Sequence, residues 1–164
     1  MADGKRSVLF VCLGNICRSP MAEAIFLDLL RKSNRLEEWT VDSAGILDIH
    51  VGKSPYVLTM KALQSHGITQ YTHRVRQVTS GDFHRFDTVF GLDEENIRDL
   101  RSIEQYADKD RKKAKLELLG SYDPKGLKNV VDPYYIDEPS AFETAFDHIH
   151  RSCQSYLDHC YKNR

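Results

Sequence analysis

Two residues near the N-terminus have the types and the spacing for covalent catalysis on a phosphate. Cys12 follows a short apolar run, and five residues separate it from Arg18. The thiolate of a cysteine is a nucleophile, and a guanidinium group can hold two phosphate oxygens in a planar fork. Together they predict that Cys12 attacks a phosphorus atom that Arg18 holds in line with the sulfur, which forms a cysteinyl-phosphate.

The segment around these two residues is suited to surround a tetrahedral oxyanion. Gly14 permits backbone conformations in which successive N–H groups turn inward, and the helix expected after Arg18 directs its unpaired N–H groups to the same place. These donors favour the thiolate form of Cys12, and Ser19 can donate its hydroxyl group to the departing sulfur. The residues expected to contact the substrate here are Leu13, Gly14, Asn15, Ile16, Cys17 and Ser19.

A third catalytic candidate, Asp132, lies far along the chain. A leaving phenol-type oxygen needs a proton, and Asp132 is the best candidate to supply it, with Pro133 stiffening the backbone beside it. Tyr134 and Tyr135 follow, and we expect their rings to wall a slot that accepts an aromatic ring and shields the carboxyl group from water. The same group is expected to take a proton from water when the cysteinyl-phosphate is hydrolysed.

Elements that alternate between strand and helix must position these residues. Short apolar runs predict strands at 7–11, 39–41, 88–90 and 115–119. Apolar residues spaced by three or four predict helices at 20–31, 55–66, 93–100 and from residue 139 on. Ser54 is the expected N-cap of the second helix, with Pro55 at its first position, and Asp93 is the expected N-cap of the third.

This order of elements predicts an α/β fold in which helices cover both faces of a parallel sheet. Residues 1–164 contain no repeat, low-complexity tract or linker-like segment, so we expect one domain. Ligands of such folds bind at the carboxyl ends of the strands. The loop that begins at Cys12 is therefore the expected site.

Composition restricts the class of protein and its location. Four cysteines in 164 residues are too few and too clustered for the disulfide framework of a secreted domain. The apolar run near the N-terminus has too few residues for a signal peptide or a membrane span. We therefore expect a cytoplasmic protein with no stable membrane insertion. The formal net charge of -1 gives no global attraction to nucleic acid, so no nucleic-acid partner is expected.

Residues 11–20, VCLGNICRSP, resemble the signature loop of the low-molecular-weight protein tyrosine phosphatases. The resemblance covers nearly the whole chain, because it continues through 42–43, 66–68, 76–78, 83, 93–94, 118–124 and 132–135. It implies a single-domain, three-layer sandwich with a four-stranded parallel sheet. It also implies nucleophile Cys12, phosphate-binding Arg18 and general acid Asp132, without a cofactor or a metal.

Further roles follow from the same resemblance. Asn15, Ser43 and His73 are implied as hydrogen-bonding residues that hold the loop. Cys17 is implied as a partner of Cys12 in a reversible disulfide, and simple packing within the loop is the alternative.

The resemblance also bears on substrates and partners. Ile49 stands where mammalian family members often place an aromatic ring that lines the substrate slot. The implied partners are phosphotyrosine-containing proteins, inorganic phosphate is the implied product, and acid phosphatase activity on small aryl phosphates is expected. A monomer or a weak dimer is expected.

Three other functions compete with this interpretation. Arsenate reduction uses the same anion-binding loop but needs extra cysteines, and none lies between Cys17 and Cys153. Phosphoarginine hydrolysis is a closer rival, although the apolar, branched side chain of Ile16 suits a phenyl ring better. A catalytically inactive phosphotyrosine-binding module would require the loss of one of the three catalytic candidates, and all three are present.

The last predicted helix contains histidines and cysteines that suggest a zinc site. His148 and His150 are two residues apart and face different sides of a helix, whereas Cys153 and Cys160 lie on its apolar stripe. We therefore expect no metal site there, and we expect both cysteines to be core residues.

Overall fold

The computed structural model describes residues 4–162 and contains one four-stranded sheet within them. The strands are β1 (Arg6–Cys12), β2 (Trp39–Gly45), β3 (Thr88–Gly91) and β4 (Lys115–Leu118). They lie in the order β2-β1-β3-β4, and every neighbouring pair is parallel. The central strand, β1, is almost wholly buried, as its continuous apolar run predicts.

Helices cover both faces of this sheet. The described residues form α1 (Arg18–Lys32), α2 (Val57–Ser65), α3 (Asp82–Arg85), α4 (Glu94–Glu104) and α5 (Pro139–Tyr161). Val8 and Phe10 of β1 pack in a core with α1, α2 and α5, whereas Leu9 and Val11 pack in a second core with α3 and α4. The predicted three-layer α/β fold with a four-stranded parallel sheet is therefore confirmed.

Every predicted strand and helix occurs, but β2 and α4 each extend four residues beyond their predicted ends at 41 and 100, and α2 begins later than predicted. Asp93 caps α4 in a capping box with Asn96, as expected for the third predicted helix. The expected N-cap at Ser54 is wrong, since α2 begins only at Val57 and its N-cap is Tyr56. Residues 54–56 stay outside the helix because the N–H group of Tyr56 donates to the carbonyl oxygen of Ile16 at 2.8 Å. A contact distant in sequence thus sets this helix start.

The four-residue helix α3 was not predicted. Its buried Asp82 accepts hydrogen bonds from both Nη atoms of Arg76 and from the N–H group of Thr79. The apolar pattern of the segment is too short to reveal a single helical turn that is stabilised in this way.

The last helix separates its polar residues as expected. His148 is buried and its ring contacts the carbonyl oxygen of Leu127, whereas the ring of His150 stacks on Phe146. Cys153 is fully buried and Cys160 is half-buried against the core. Between residues 4 and 162, no helix combines the length and the apolar character needed to cross a membrane.

Candidate active site

The nucleophile loop, residues 12–18, begins where β1 ends. The chain leaves β1 for β2 on one side and later returns to β3 on the other, so the loop lies at the point where the winding of the sheet reverses. The Sγ atom of Cys12 accepts a hydrogen bond from the N–H group of Asn15 at 3.3 Å and lies 3.0 Å from the hydroxyl oxygen of Ser19. Both contacts can stabilise a thiolate.

Asn15 gives the nucleophile loop its tight curvature. Its φ angle is 58°, in the left-handed region where asparagine is tolerated better than most residues. The loop packs on the end of β2 at Gly45, where an added Cβ atom would lie 3.0 Å from the Cβ atom of Asn15. A side chain at Gly45 would therefore push the loop away from the sheet.

Hydrogen bonds fix the orientation of the Asn15 amide. The backbone N–H group of Arg76 can only donate, and it lies 3.2 Å from the atom that is therefore Oδ1. The amide nitrogen then donates to the hydroxyl oxygens of Ser19 at 2.8 Å and Ser43 at 3.0 Å. Because Ser19 accepts this bond, its own proton is directed to the sulfur of Cys12 at 3.0 Å or to the carbonyl oxygen of Ala44 at 3.3 Å.

A buried polar network supports Asn15 from below. The Nε2 atom of His73 lies 2.8 Å from Oδ1 of Asn15, and Ser43 donates to Oε1 of Glu23 at 2.7 Å. The hydroxyl group of Tyr71 donates to the same carboxylate oxygen at 2.7 Å. Burial raises the pKa of Glu23 to about 7, against these two hydrogen bonds, which lower it. The carboxyl group therefore titrates near neutral pH.

This network also contains the described residues that could group around a metal ion. Glu23, Asp42 and His73 place one ligand atom each within 4.8 Å of one another. Oε1 of Glu23 already accepts bonds from Ser43 and Tyr71. The hydrogen-bonding role in the loop thus accounts for the cluster.

Arg18 is buried, with 2% of its surface exposed, and its guanidinium group is held at fixed points. Its Nη1 atom donates to Oδ2 of Asp93 at 2.6 Å and to the carbonyl oxygen of Val130 at 2.8 Å. Its Nη2 atom lies 3.6 Å from Oδ2 of Asp132. Although burial lowers the pKa of Arg18, its electrostatic interactions with Cys12, Asp132 and Asp93 raise it on balance. A permanent positive charge therefore lies beside the carboxyl group of Asp132.

The acid loop, residues 131–138, carries Asp132 immediately before a short 3-10 turn at Pro133–Tyr135. Oδ1 of Asp132 accepts the N–H group of Tyr134 at 3.1 Å, so the carboxyl group caps this turn. The segment that leads into the loop is anchored by hydrogen bonds between Asp123 and Arg151. The carboxyl group of Asp132 lies beside Arg18, with 23% of its side-chain surface exposed.

The two loops face each other across a pocket of about 180 Å³. The side chain of Asp132 and the sulfur-bearing Cys12 both line it. The remaining lining residues are Leu13, Gly14, Ile16, Cys17, Leu47, Ile49, His50, Tyr134 and Tyr135. The structure thus places Ile49, Tyr134 and Tyr135 together in the lining of the pocket. Behind the nucleophile loop lie Asn15, Ser19, Ser43 and His73.

Comparison with known proteins bears on this geometry. A family model described as low molecular weight phosphotyrosine protein phosphatase matches residues 7–164. The chain belongs to this family. The human low molecular weight phosphotyrosine protein phosphatase is 44% identical over 153 residues, which are 93% of this chain and 94% of the human protein. The predicted membership in the low molecular weight phosphatase family is therefore confirmed.

Two solved structures show the same low molecular weight phosphatase fold. Primo-1 has a TM-score of 0.84 and 40% identity, and the match covers 97% of this chain and 98% of that one. DARP, a Drosophila arginine phosphatase, has a TM-score of 0.87 and 37% identity, with 96% and 99% covered. Both matches cover almost the whole of this chain.

Several residues of this low molecular weight phosphatase site were missed from the sequence. Glu23, Tyr71 and Arg76 hold Asn15 and its partners, Asp93 holds Arg18, and His50 lies 3.2 Å from the position of a Cβ atom added at Gly14. Asp93 and Arg76 lie in the segments that resemble the family, which was the available signal. For Glu23, the available signal was a single carboxyl group within a mostly apolar helix, because buried carboxyl groups need partners.

Cys17 is buried in the nucleophile loop. Burial raises the pKa of its thiol to about 12. Cys17 therefore remains protonated at neutral pH and is a poor nucleophile compared with a thiolate. Its reversible disulfide with Cys12 stays a prediction.

We expect Asn15→Ala to destabilise the protein by roughly 3 kcal/mol, because it removes buried hydrogen bonds and places alanine in the left-handed region. Asn34→Ala is the matched control, since Asn34 is exposed and has a φ angle of 57°. The control is expected to cost about 1 kcal/mol. Urea denaturation of both variants measures the difference. Equal losses would contradict the role of the Asn15 side chain.

Proposed function

We propose that this protein hydrolyses phosphotyrosine through a cysteinyl-phosphate on Cys12, without a metal ion. One observation carries the proposal: Cys12 and Asp132 line the same pocket, and the buried guanidinium group of Arg18 lies 3.6 Å from the carboxyl group of Asp132. A nucleophile and an acid thus face one space, with a fixed cation beside the acid, and this is the arrangement that hydrolysis of a phosphate ester needs.

In the first step, the thiolate of Cys12 attacks phosphorus while the bond to the phenolic oxygen breaks. Arg18 and the N–H groups of the nucleophile loop hold the phosphate oxygens, where negative charge is greatest. Asp132 gives its proton to the leaving oxygen, so that a neutral phenol departs. The products of this step are the dephosphorylated tyrosine side chain of the substrate and the cysteinyl-phosphate.

In the second step, Asp132 takes a proton from water, and the water oxygen attacks phosphorus as the S–P bond breaks. The departing sulfur carries negative charge, and the hydroxyl group of Ser19 and the N–H group of Asn15 point at it. Inorganic phosphate leaves and the thiolate of Cys12 is restored.

We expect Asp132→Asn to lower kcat/KM about 10³-fold for aryl phosphates that release weakly acidic phenols, and less than about tenfold for those that release acidic phenols. Only the former need the proton of Asp132. Steady-state kinetics on a series of substituted phenyl phosphates measures the difference. Asp48→Asn is the control, because Asp48 carries an exposed carboxyl group between the pocket-lining residues Leu47 and Ile49. Equal losses on all substrates would remove Asp132 from the acid role.

Phosphoarginine hydrolysis is the second candidate, because the similar structure of DARP is that of an arginine phosphatase. Ile16 favours phosphotyrosine. It is 8% exposed and gives the pocket a branched, apolar wall against which a phenyl ring can pack. A guanidinium-linked phosphate gains no polar contact from this side chain.

Phosphate release from matched phosphotyrosine and phosphoarginine peptides, with a chelator present throughout, tests the choice of substrate. Release from phosphotyrosine alone is expected, at the same rate with and without the chelator. Preference for phosphoarginine would replace the proposed substrate while leaving the cysteine mechanism in place. Inactivity on both peptides would favour a phosphotyrosine-binding module.

The rim of the pocket is apolar. Most of the large exposed hydrophobic side chains within the described residues lie in two segments, 47–57 and 131–136. They are Leu47, Ile49, Val51, Val57, Val131, Tyr134, Tyr135 and Ile136. Such a concentration is typical of a surface that contacts a partner. Peptides with apolar residues beside the phosphotyrosine are therefore the expected substrates, with a KM several-fold below that of peptides with charged neighbours.

The proposed setting is the cytoplasm, with phosphotyrosine-containing proteins as partners. Four cysteines in 164 residues are too few for the disulfide framework of a secreted domain, which supports a reducing compartment. Because a net charge of -1 gives no overall attraction to nucleic acid, no nucleic-acid partner is proposed. The state as a monomer or weak dimer stays a prediction.

A further inference from the structure

Tyr56 contacts the nucleophile loop and the acid loop at the same time. Its N–H group donates to the carbonyl oxygen of Ile16 at 2.8 Å. Its ring packs edge-on against the ring of Tyr134, with the centroids 5.3 Å apart. Its hydroxyl group donates to Oδ1 of Asp137 at 2.7 Å. One residue thus joins the two loops that form opposite walls of the pocket.

The helix that follows does not need the side chain of Tyr56. Tyr56 is the N-cap of α2, a position at which serine, threonine, asparagine or aspartate would accept a hydrogen bond from the helix. The tyrosine makes no such bond, and its ring stacks instead on Phe142 of α5 at 5.9 Å. The side chain therefore serves the acid loop rather than its own helix.

Asp137, the partner of this hydroxyl group, closes the acid loop. Its N–H group donates to the carbonyl oxygen of Pro133 at 3.0 Å, and its φ angle is 54°. This left-handed conformation is costly for residues other than glycine, and surrounding contacts must maintain it. The bond from Tyr56 fixes the end of the loop whose beginning carries Asp132.

The hydroxyl group of Tyr56 keeps its proton and therefore acts as a hydrogen-bond donor. The hydrogen bond to Asp137 is the largest cause that raises the pKa of Tyr56, to about 12. The phenol therefore keeps its proton throughout the neutral range, and the contact joins a neutral donor to a carboxylate acceptor.

We propose that Tyr56 is a positioning residue that holds the acid loop where Asp132 can protonate the leaving oxygen of a substrate bound to the nucleophile loop. This inference rests on the general-acid role proposed for Asp132. Tyr56 itself does not line the pocket, and its effect passes through Asp137 and Tyr134.

The Tyr56→Phe variant tests this inference, because it keeps the ring contacts and removes only the hydroxyl group. We expect kcat/KM to fall about tenfold for aryl phosphates with weakly acidic leaving groups and less than about twofold for those with acidic ones. Tyr106→Phe is the matched control, since Tyr106 is 79% exposed and far from both loops in sequence. The control is expected to match the unmodified protein on every substrate.

Two variants of Asp137 test the partner. Asp137→Asn keeps an oxygen acceptor and tolerates the left-handed conformation, so it is expected to retain at least about half of the activity on weakly acidic leaving groups. Asp137→Gly removes the acceptor and also tolerates this conformation, so it is expected to behave like Tyr56→Phe. The double variant Tyr56→Phe/Asp137→Gly is then expected to be no worse than either single change.

The outcomes separate this inference from the proposed function. If Asp132→Asn lowered kcat/KM equally for every leaving group, Asp132 would not be the general acid. A second outcome would overturn the positioning role alone. In it, Asp132→Asn loses more kcat/KM for weakly acidic leaving groups, as expected, but Tyr56→Phe loses the same amount for every leaving group or loses nothing. Thermal denaturation shows which variants are folded at the assay temperature. Should Tyr56→Phe be unfolded there, Asp137→Gly carries the same test.

Discussion

The Cys12→Ser variant is expected to lose at least about 10⁴-fold of its turnover of aryl phosphates. A serine hydroxyl group at the same position is far less ionised than a thiol, and the donors from Asn15 and Ser19 cannot compensate for this. Binding of inorganic phosphate should persist, because Arg18 and the backbone N–H groups of the loop remain. Steady-state kinetics and isothermal titration with phosphate measure the two effects.

The control for this change is Cys160→Ser, at a half-buried thiol on α5 outside the pocket. It should leave turnover unchanged. Retention of more than about one-hundredth of the activity in Cys12→Ser would argue against a covalent route. Loss of both phosphate binding and turnover would instead indicate a collapsed loop.

The Arg18→Lys variant is expected to lose about 10³-fold in kcat/KM although the positive charge is kept. Lysine cannot donate to Asp93 and Val130 while also presenting a planar fork to two phosphate oxygens. The loss should appear in kcat as well as in KM, because charge on the phosphate oxygens must be held in the transition state.

Arg31→Lys is the matched control for the same helix, because the side chain of Arg31 is 60% exposed and forms an ion pair with Asp28 at 3.8 Å. Its kinetics should equal those of the unmodified protein. Activity of Arg18→Lys within about tenfold of the unmodified protein would show that charge alone, without the fork, is sufficient.

Much of the fold follows from local sequence signals. The continuous apolar run before Cys12 predicts a strand buried on both faces, and β1 extends only one residue beyond it at each end. Asp93 predicts the start of α4 because its side chain satisfies a backbone N–H group within the same helix. These features depend on residues close together in the chain, so a pattern in the sequence is sufficient to reveal them.

The features that escaped prediction depend on residues far apart in the chain. The start of α2 is set by the bond from Tyr56 to Ile16, forty residues earlier, which no local cap signal can reveal. Likewise, Glu23 joins the site because the fold brings Ser43 and Tyr71 beside its carboxyl group. Sequence patterns identify which residues have the right chemistry, whereas tertiary packing determines which of them orient the others.

The most direct test of the central claim is to locate the phosphate in a rapidly quenched reaction with an aryl phosphate. Digestion and mass spectrometry are expected to find a phosphoryl group on the sulfur of Cys12 within the first turnover, and no such group in the Cys12→Ser variant. A phosphoryl group on another residue, or full turnover with no phosphorylated protein at any quench time, would contradict the mechanism.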